Sequence, residues 1–256
     1  MRGGGYLVNF EVMRLCPAQL LDINSADILE GGLYRKCNTY KGGGGYDQFP
    51  AIYQRRFGPT PSLNDQFVVQ LKGCPLRCPY CYVTEEGVSH GESVKVSSVE
   101  LTTAFACSGC SVFHLMGGAP ALHLRKWPDL LAHLHGEVFH SDFLLLEGEY
   151  DLGLLREIAQ YKNSLYAVSI KGSSQAEFRA NTGVELNEPM LRRNMEILAK
   201  SGISTYYTFT GMPPESVQAF KEEYGSLVSF EDAFVIDLVH YKALDYQNPA
   251  AADSQV

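Results

Sequence analysis

The chain has 256 residues, 21 basic and 29 acidic side chains, a formal charge of -8 and 45% hydrophobic residues. This content fits a globular protein of one or two domains and excludes global disorder. The acidic balance argues against gripping a nucleic-acid backbone by charge, and no apolar run approaches the roughly 18 residues of a membrane span.

The opening MRGGGYLVNFEVMRLC offers neither a sustained apolar segment nor a small-residue cleavage site. Seven cysteines are an odd number, so reduced thiols or metal ligands in a cytoplasmic protein are expected rather than a disulfide frame. Residues 1–66 carry two glycine clusters, isolated Cys16 and Cys37, and little periodicity. They read as an N-terminal extension with a short strand over 6–12 and a helix near 26–31.

A regular pattern begins at residue 67 and runs to about 243. FVVQLK (67–72) reads as a strand, 99–106 as helix, SVFHLM (111–116) as a second strand and 127–134 as a second helix. DFLLL (142–146) reads as a third strand. The helix after it places Leu154, Ile158 and Tyr161 on one face, with Asp151 as N-cap. LYAVSI (165–170) is a fourth strand, followed by helices near 175–180 and 188–200, the latter stopped by Gly202. A fifth strand covers 203–209. Pro213 and Pro214 then open a helix that buries Val217, Phe220 and Tyr224, and FVIDLV (234–239) is a sixth strand. Residues 244–256 read as a flexible tail. Strands alternating with amphipathic helices imply an α/β fold with parallel pairing. Six such units are too few for a closed eight-stranded barrel, so a partial (β/α)6 TIM-like barrel or an open sheet is expected, with ligands at the carboxyl ends of its strands.

The most specific motif is GCPLRCPYC, with Cys74, Cys78 and Cys81 in the loop directly after the first regular strand. Three thiolates this close can wrap one face of a compact metal centre. A structural zinc site wants four protein ligands, whereas three cysteines leave one corner open, which in a [4Fe-4S] cubane is an iron able to bind a further molecule. Zinc with a distant fourth ligand such as Cys37 or His90 is the alternative.

The CxxxCxxC spacing after a strand, with the aromatic Tyr80 before the last cysteine, resembles the radical S-adenosylmethionine (SAM) superfamily. The resemblance runs from about residue 67 to 240. It implies that Cys74, Cys78 and Cys81 hold a [4Fe-4S] cluster whose open iron chelates SAM. It also implies one-electron cleavage of SAM to a 5'-deoxyadenosyl radical that takes a hydrogen atom from a substrate. Gly117, Gly118 and Ala119 (GGAP) stand where family members carry a GGEP-like motif near the SAM amino group, and Ala119 lacks the usual carboxylate. Lys171, with Ser169 two residues earlier, resembles the strand end of the pyruvate formate-lyase activating enzyme branch, in which the lysine pairs with the SAM carboxylate. FVVQLKGCPLRC also resembles the compact deazaguanine-forming members.

Glu147 and Glu149 follow the third strand and suggest proton transfer or substrate contact at the mouth. His240, with Asp237 and Tyr241, ends the sixth strand and is a further candidate. Tyr206, Tyr207 and Thr208 alternate on the fifth strand, where half the positions face a core layer. Cys107 and Cys110 invite an auxiliary cluster with Cys16 and Cys37, but their place before the second strand puts them on the amino side of the sheet. The resulting expectation is a radical SAM enzyme acting on a small molecule or peptide, fed by a flavodoxin- or ferredoxin-type donor. A glycyl-radical activase and a zinc-stabilised binding module are its alternatives.

Overall fold

The computed structural model describes residues 8–14, 27–28, 33–37, 48–58, 66–81 and 91–236. Six strands pair in parallel in the order β10-β9-β8-β7-β6-β4: β4 (Gln66–Gln70), β6 (Val112–Met116), β7 (Val138–Phe143), β8 (Ser164–Ile170), β9 (Thr205–Thr210) and β10 (Ala233–Ile236). This is the six-stranded arrangement the alternating pattern implies. Strands buried on both faces read as nearly continuous apolar runs, as Phe67–Val69 of β4 and the stretch Leu165–Val168 illustrate, although β4 also buries a glutamine at each end.

The helices between strands begin and end at local signals. In α2 (Ser98–Ser108), Ser97 and Glu100 form a reciprocal capping box. Asp151 caps α4 (Leu152–Ile158) by accepting from the Gly153 and Leu154 amides. Asn187 caps α6 (Glu188–Ser201), which stops at Gly202. A 3-10 turn (Pro120–Lys126) leads into α3 (Trp127–Ala132), and α5 (Gln175–Thr182) and α7 (Pro214–Tyr224) complete the set after β6.

Several expectations need correction. The third strand covers Val138–Phe143, four residues earlier than expected, and Leu144–Leu146 already belong to the turn after it. In α4 it is Leu155 rather than Leu154 that is fully buried beside Ile158, and Tyr161 lies beyond the helix end. Asp27 and Ile28, placed in a helix by the sequence, form the short strand β2, and β3 (Tyr34–Cys37) pairs antiparallel with both β2 and β4. Besides β3, two further elements were not anticipated. The first, α1 (Gln48–Phe57), sits at the amino end of the barrel, and the second, β5 (Ser93–Ser97), pairs antiparallel with β1 (Asn9–Met13).

Alternation within the strands separates two apolar regions. Phe67, Val69, Phe113, Phe139, Tyr166, Val168, Tyr207 and Phe209 pack outward against the helices with Trp127 and Leu155. Val112, Val138, Leu165, Ala167, Tyr206, Phe234 and Ile236 face inward, where Phe49, Ile52 and Tyr53 of α1 pack against them. Thus α1 plugs the barrel floor, and Arg55 and Arg56 tie it to Asp232 just before β10. The carboxyl end is left for the site.

Candidate active site

Cys74, Cys78 and Cys81 follow the carboxyl end of β4 and are unoxidised, partly buried thiols. Three backbone hydrogen bonds hold their loop, one within it and two to its surroundings. The Arg77 amide donates to the Thr182 carbonyl at 2.7 Å, the Cys81 amide to the Cys78 carbonyl at 3.0 Å, and the Ala119 amide to the Gly73 carbonyl at 2.7 Å. Met13 of β1 packs against Cys74 and Cys81. Burial pushes the Cys74 thiol up to about 12, against the opposing pull of the Leu76 N–H 3.4 Å away and the Lys171 charge. Such a group becomes a thiolate when a metal ion takes the proton's place. The donor set is therefore chemically suited to a soft metal centre, with a three-sulfur face.

Gly117 and Gly118 occupy the turn after β6 with φ of 74° and 58°. A Cβ on Gly118 would collide with the Gly73 and Leu71 carbonyls, and one on Gly117 with the Gln70 side chain. The two glycines thereby let the turn close directly on the root of the cysteine loop, in a backbone conformation that L side chains rarely adopt. Ala119 is fully buried, and with its amide given to Gly73 it serves this docking. Gln70, missed by the sequence reading, is fully buried on the inner face beside Gly117, and neither of its amide atoms makes a hydrogen bond among the described residues. An orphaned amide at a strand's carboxyl end marks a place where a ligand's polar groups would complete it.

Lys171, just past β8, donates from Nζ to the Tyr80 hydroxyl at 3.1 Å and lies 5.1 Å from that ring's centroid. Burial raises the Tyr80 phenol, with the Lys171 charge opposing. The motif aromatic and the lysine thus meet beside the cysteines. Ser169 Oγ lies 3.3 Å from Thr208 Oγ1 on the inner face.

Glu147 and Glu149 do not form a pair. The Glu147 carboxylate accepts from the Leu144 and Leu146 amides at 2.7 and 2.9 Å and from the Tyr150 hydroxyl at 2.7 Å, so it closes the turn that holds Leu145 at φ 66°. Burial is the main force raising its pKa. Glu149 is exposed and ion-paired with Arg193 at 3.1 Å. Both are occupied in shaping the loop rather than in presenting a joint acid and base. His240, Asp237 and Tyr241 lie outside the described residues, as do Cys16 and His90, while for Cys37 only the strand is described. Cys107 is exposed near the end of α2 and Cys110 precedes β6, on the amino side as expected.

A polar cluster inside the barrel also escaped the sequence reading. His114 and His140 stack with ring centroids 4.1 Å apart, at paired positions of β6 and β7. Asp142 lies two residues further along β7, its carboxylate 3.8 Å from His114 Nε2. The signal was present, since both strands read Val-Phe-His, at 112–114 and 138–140. Starting the third strand at Asp142 hid the match.

The radical SAM superfamily family model matches residues 68–226. No curated protein matches the chain. Among solved structures, Streptococcus suis SuiB bound to precursor peptide SuiA is similar at 11% identity and TM-score 0.47, covering 61% of this chain and 35% of that one. Coproporphyrinogen III oxidase HemN from Escherichia coli, a radical SAM enzyme, gives 14% identity and TM-score 0.46 over 80% of this chain and 51% of its own. QueE from Escherichia coli gives 16% identity and TM-score 0.40 over 67% and 73%. The chain spans about a third of the SuiB chain's length. With more than half its length matched, and the three cysteines on the loop after the first parallel strand, the chain belongs to the radical SAM superfamily, whose members use a [4Fe-4S] cluster and SAM.

Proposed function

We propose that this protein is a radical SAM enzyme in which Cys74, Cys78 and Cys81 hold the cluster, and Lys171, Tyr80 and the Gly117–Gly118 turn border the SAM site. When bound, these groups supply one-electron cleavage of SAM to methionine and a 5'-deoxyadenosyl radical, which abstracts a hydrogen atom from a substrate. The chain's own residues position and enclose. Gly117 and Gly118 clamp the cysteine loop to the second parallel strand. The Lys171 ammonium sits where a carboxylate would find it in a partly dry cleft. The α1 plug closes the floor of the barrel, so that solvent and substrate share the mouth. The observation that carries this reading is the fastened three-cysteine loop at the carboxyl end of β4, with Lys171 and Tyr80 beside it. The barrel interior, lined by Gln70, His114, Asp142 and Thr208, favours a small polar substrate. A protein-directed activase rests on the resemblance around Lys171 alone.

The test is anaerobic reconstitution with iron and sulfide. The wild-type chain is expected to take up about four irons with broad brown absorbance and to form 5'-deoxyadenosine from SAM under dithionite. Cys78→Ala should lose both. A colourless zinc protein, or 5'-deoxyadenosine formed by Cys78→Ala, would refute the assignment.

A further inference from the structure

The buried cluster in the barrel interior is built as a ligand set. His114 and His140 come from adjacent strands at the same register, and Asp142 follows His140 on the same face. One donor atom from each lies within 4.8 Å of the other two. Each imidazole has one nitrogen held by a neutral oxygen, His114 Nδ1 by Gln66 Oε1 at 2.6 Å and His140 Nε2 by Tyr206 OH at 2.8 Å, which leaves the second nitrogen of each ring as the donor in the proposed set. Gln66 and Tyr206 are themselves fully buried or nearly so, which fixes those anchors. An amide oxygen only accepts, so His114 donates from Nδ1 and turns the lone pair of Nε2 toward Asp142. Outer partners of this kind set the tautomer and direction of metal-bound histidines.

We infer that His114, His140 and Asp142 bind one first-row divalent transition ion, such as Zn2+, inside the barrel. Two imidazoles and one carboxylate favour such an ion over Mg2+ or Ca2+, which prefer all-oxygen sets. Tetrahedral coordination needs donors roughly 3.4 Å apart, given metal–ligand lengths of about 2.1 Å. Reaching this requires the His114 and His140 rings, now stacked face to face, to turn about their side-chain torsions as the ion binds. Asp142 is the member free to give, with its side chain 25% exposed, while the Phe49 ring packs at a tilt against His140 with centroids 4.3 Å apart. Three protein ligands leave a coordination position open. Asp142 borders the mouth, so an oxygen or nitrogen of the substrate is the natural fourth donor.

This inference does not depend on the cluster, and its test separates the two. The full chain carrying Cys74→Ser, Cys78→Ser and Cys81→Ser is titrated with Co2+ under argon. One equivalent is expected to bind with visible d–d bands and no thiolate charge-transfer band, and Zn2+ should displace it. Asp142→Asn and His114→Gln should abolish binding, and Tyr206→Phe should weaken it on the order of 10–100-fold. Should His114→Gln fail to fold, the Zn2+-induced rise in melting temperature, present in the parent and absent in Asp142→Asn, decides the matter. No cobalt uptake, a thiolate spectrum from Cys107 or Cys110, or equal affinity in Asp142→Asn would overturn the site. A wild-type chain that takes no cluster yet still binds cobalt here sinks the radical reading and leaves this one standing.

Discussion

Gln70 stands where its strand neighbours would accept leucine or valine, yet it buries an amide whose oxygen and nitrogen make no hydrogen bond among the described residues. Each unsatisfied group costs about 1–3 kcal/mol, so Gln70 sits here at a cost to stability. Gln70→Leu should raise the urea midpoint of the iron-free protein, by about 1–3 kcal/mol in unfolding free energy. It should leave iron content unchanged and weaken binding of SAM or substrate. A destabilised variant with undiminished ligand binding would make Gln70 a structural residue. At this scale the cysteines were legible because their chemistry is local, three thiols within eight residues. Gln70, His114 and Asp142 were not, because each acquires meaning from a residue on a different strand. Glu147 looked like half of an acid–base pair, and no sequence pattern could reveal that its oxygens close onto the amides of its own turn.

Helix α6 shows how an element positions a site it does not touch. Asn194, fully buried, donates to the Leu145 and Gly148 carbonyls at 2.9 and 2.8 Å and accepts from the Tyr150 amide at 2.9 Å. One side chain thereby pins the whole turn after β7 to the helix. Asn194→Ala strands three backbone groups and should cost roughly 3 kcal/mol or more in unfolding free energy, measured by urea denaturation. A loss under about 1 kcal/mol would mean that water replaces the amide. The plug helix α1 gives a pH-dependent case. Burial raises the Asp232 carboxyl, but hydrogen bonds from Arg55 and Arg56 outweigh it and hold the group below its usual 3.8. A carboxylate whose folded pKa is depressed adds stability above its unfolded pKa and forfeits it as pH falls through the folded value. Between pH 5 and pH 3 the wild type should therefore lose more stability than Asp232→Asn, and parallel curves would contradict the pairing. Helices with explicit caps, at Asp151, Asn187 and Gly202, were placed from sequence to within a residue or two at those ends. Helix α1 was not anticipated. The four glycines before it and its three scattered core residues, Phe49, Ile52 and Tyr53, gave too short an apolar stripe to stand out.

At the scale of the molecule, the segment before residue 66 is part of the barrel's closure. Strand β3 covers one edge of β4 with an antiparallel ladder, and β1 reaches the foot of the cysteine loop, where the Lys72 amide donates to the Glu11 carbonyl at 3.0 Å. Below them, α1 inserts Phe49, Ile52 and Tyr53 into the amino end of the barrel, each at most 3% exposed. Burying three such side chains contributes about 1.5–3 kcal/mol apiece, a sum comparable to the 5–15 kcal/mol that stabilises a typical domain. Removing the segment would also leave β4 as a bare, apolar edge open to pairing with another chain. A chain starting at residue 64 retains the six parallel strands and all three cysteines of the motif. We expect it to aggregate or to unfold without a cooperative transition, and to load little iron. If it instead melted cooperatively near the full chain's temperature and took up four irons, the N-terminal residues would be an appendage, and the closed floor would have to be sought elsewhere in the barrel.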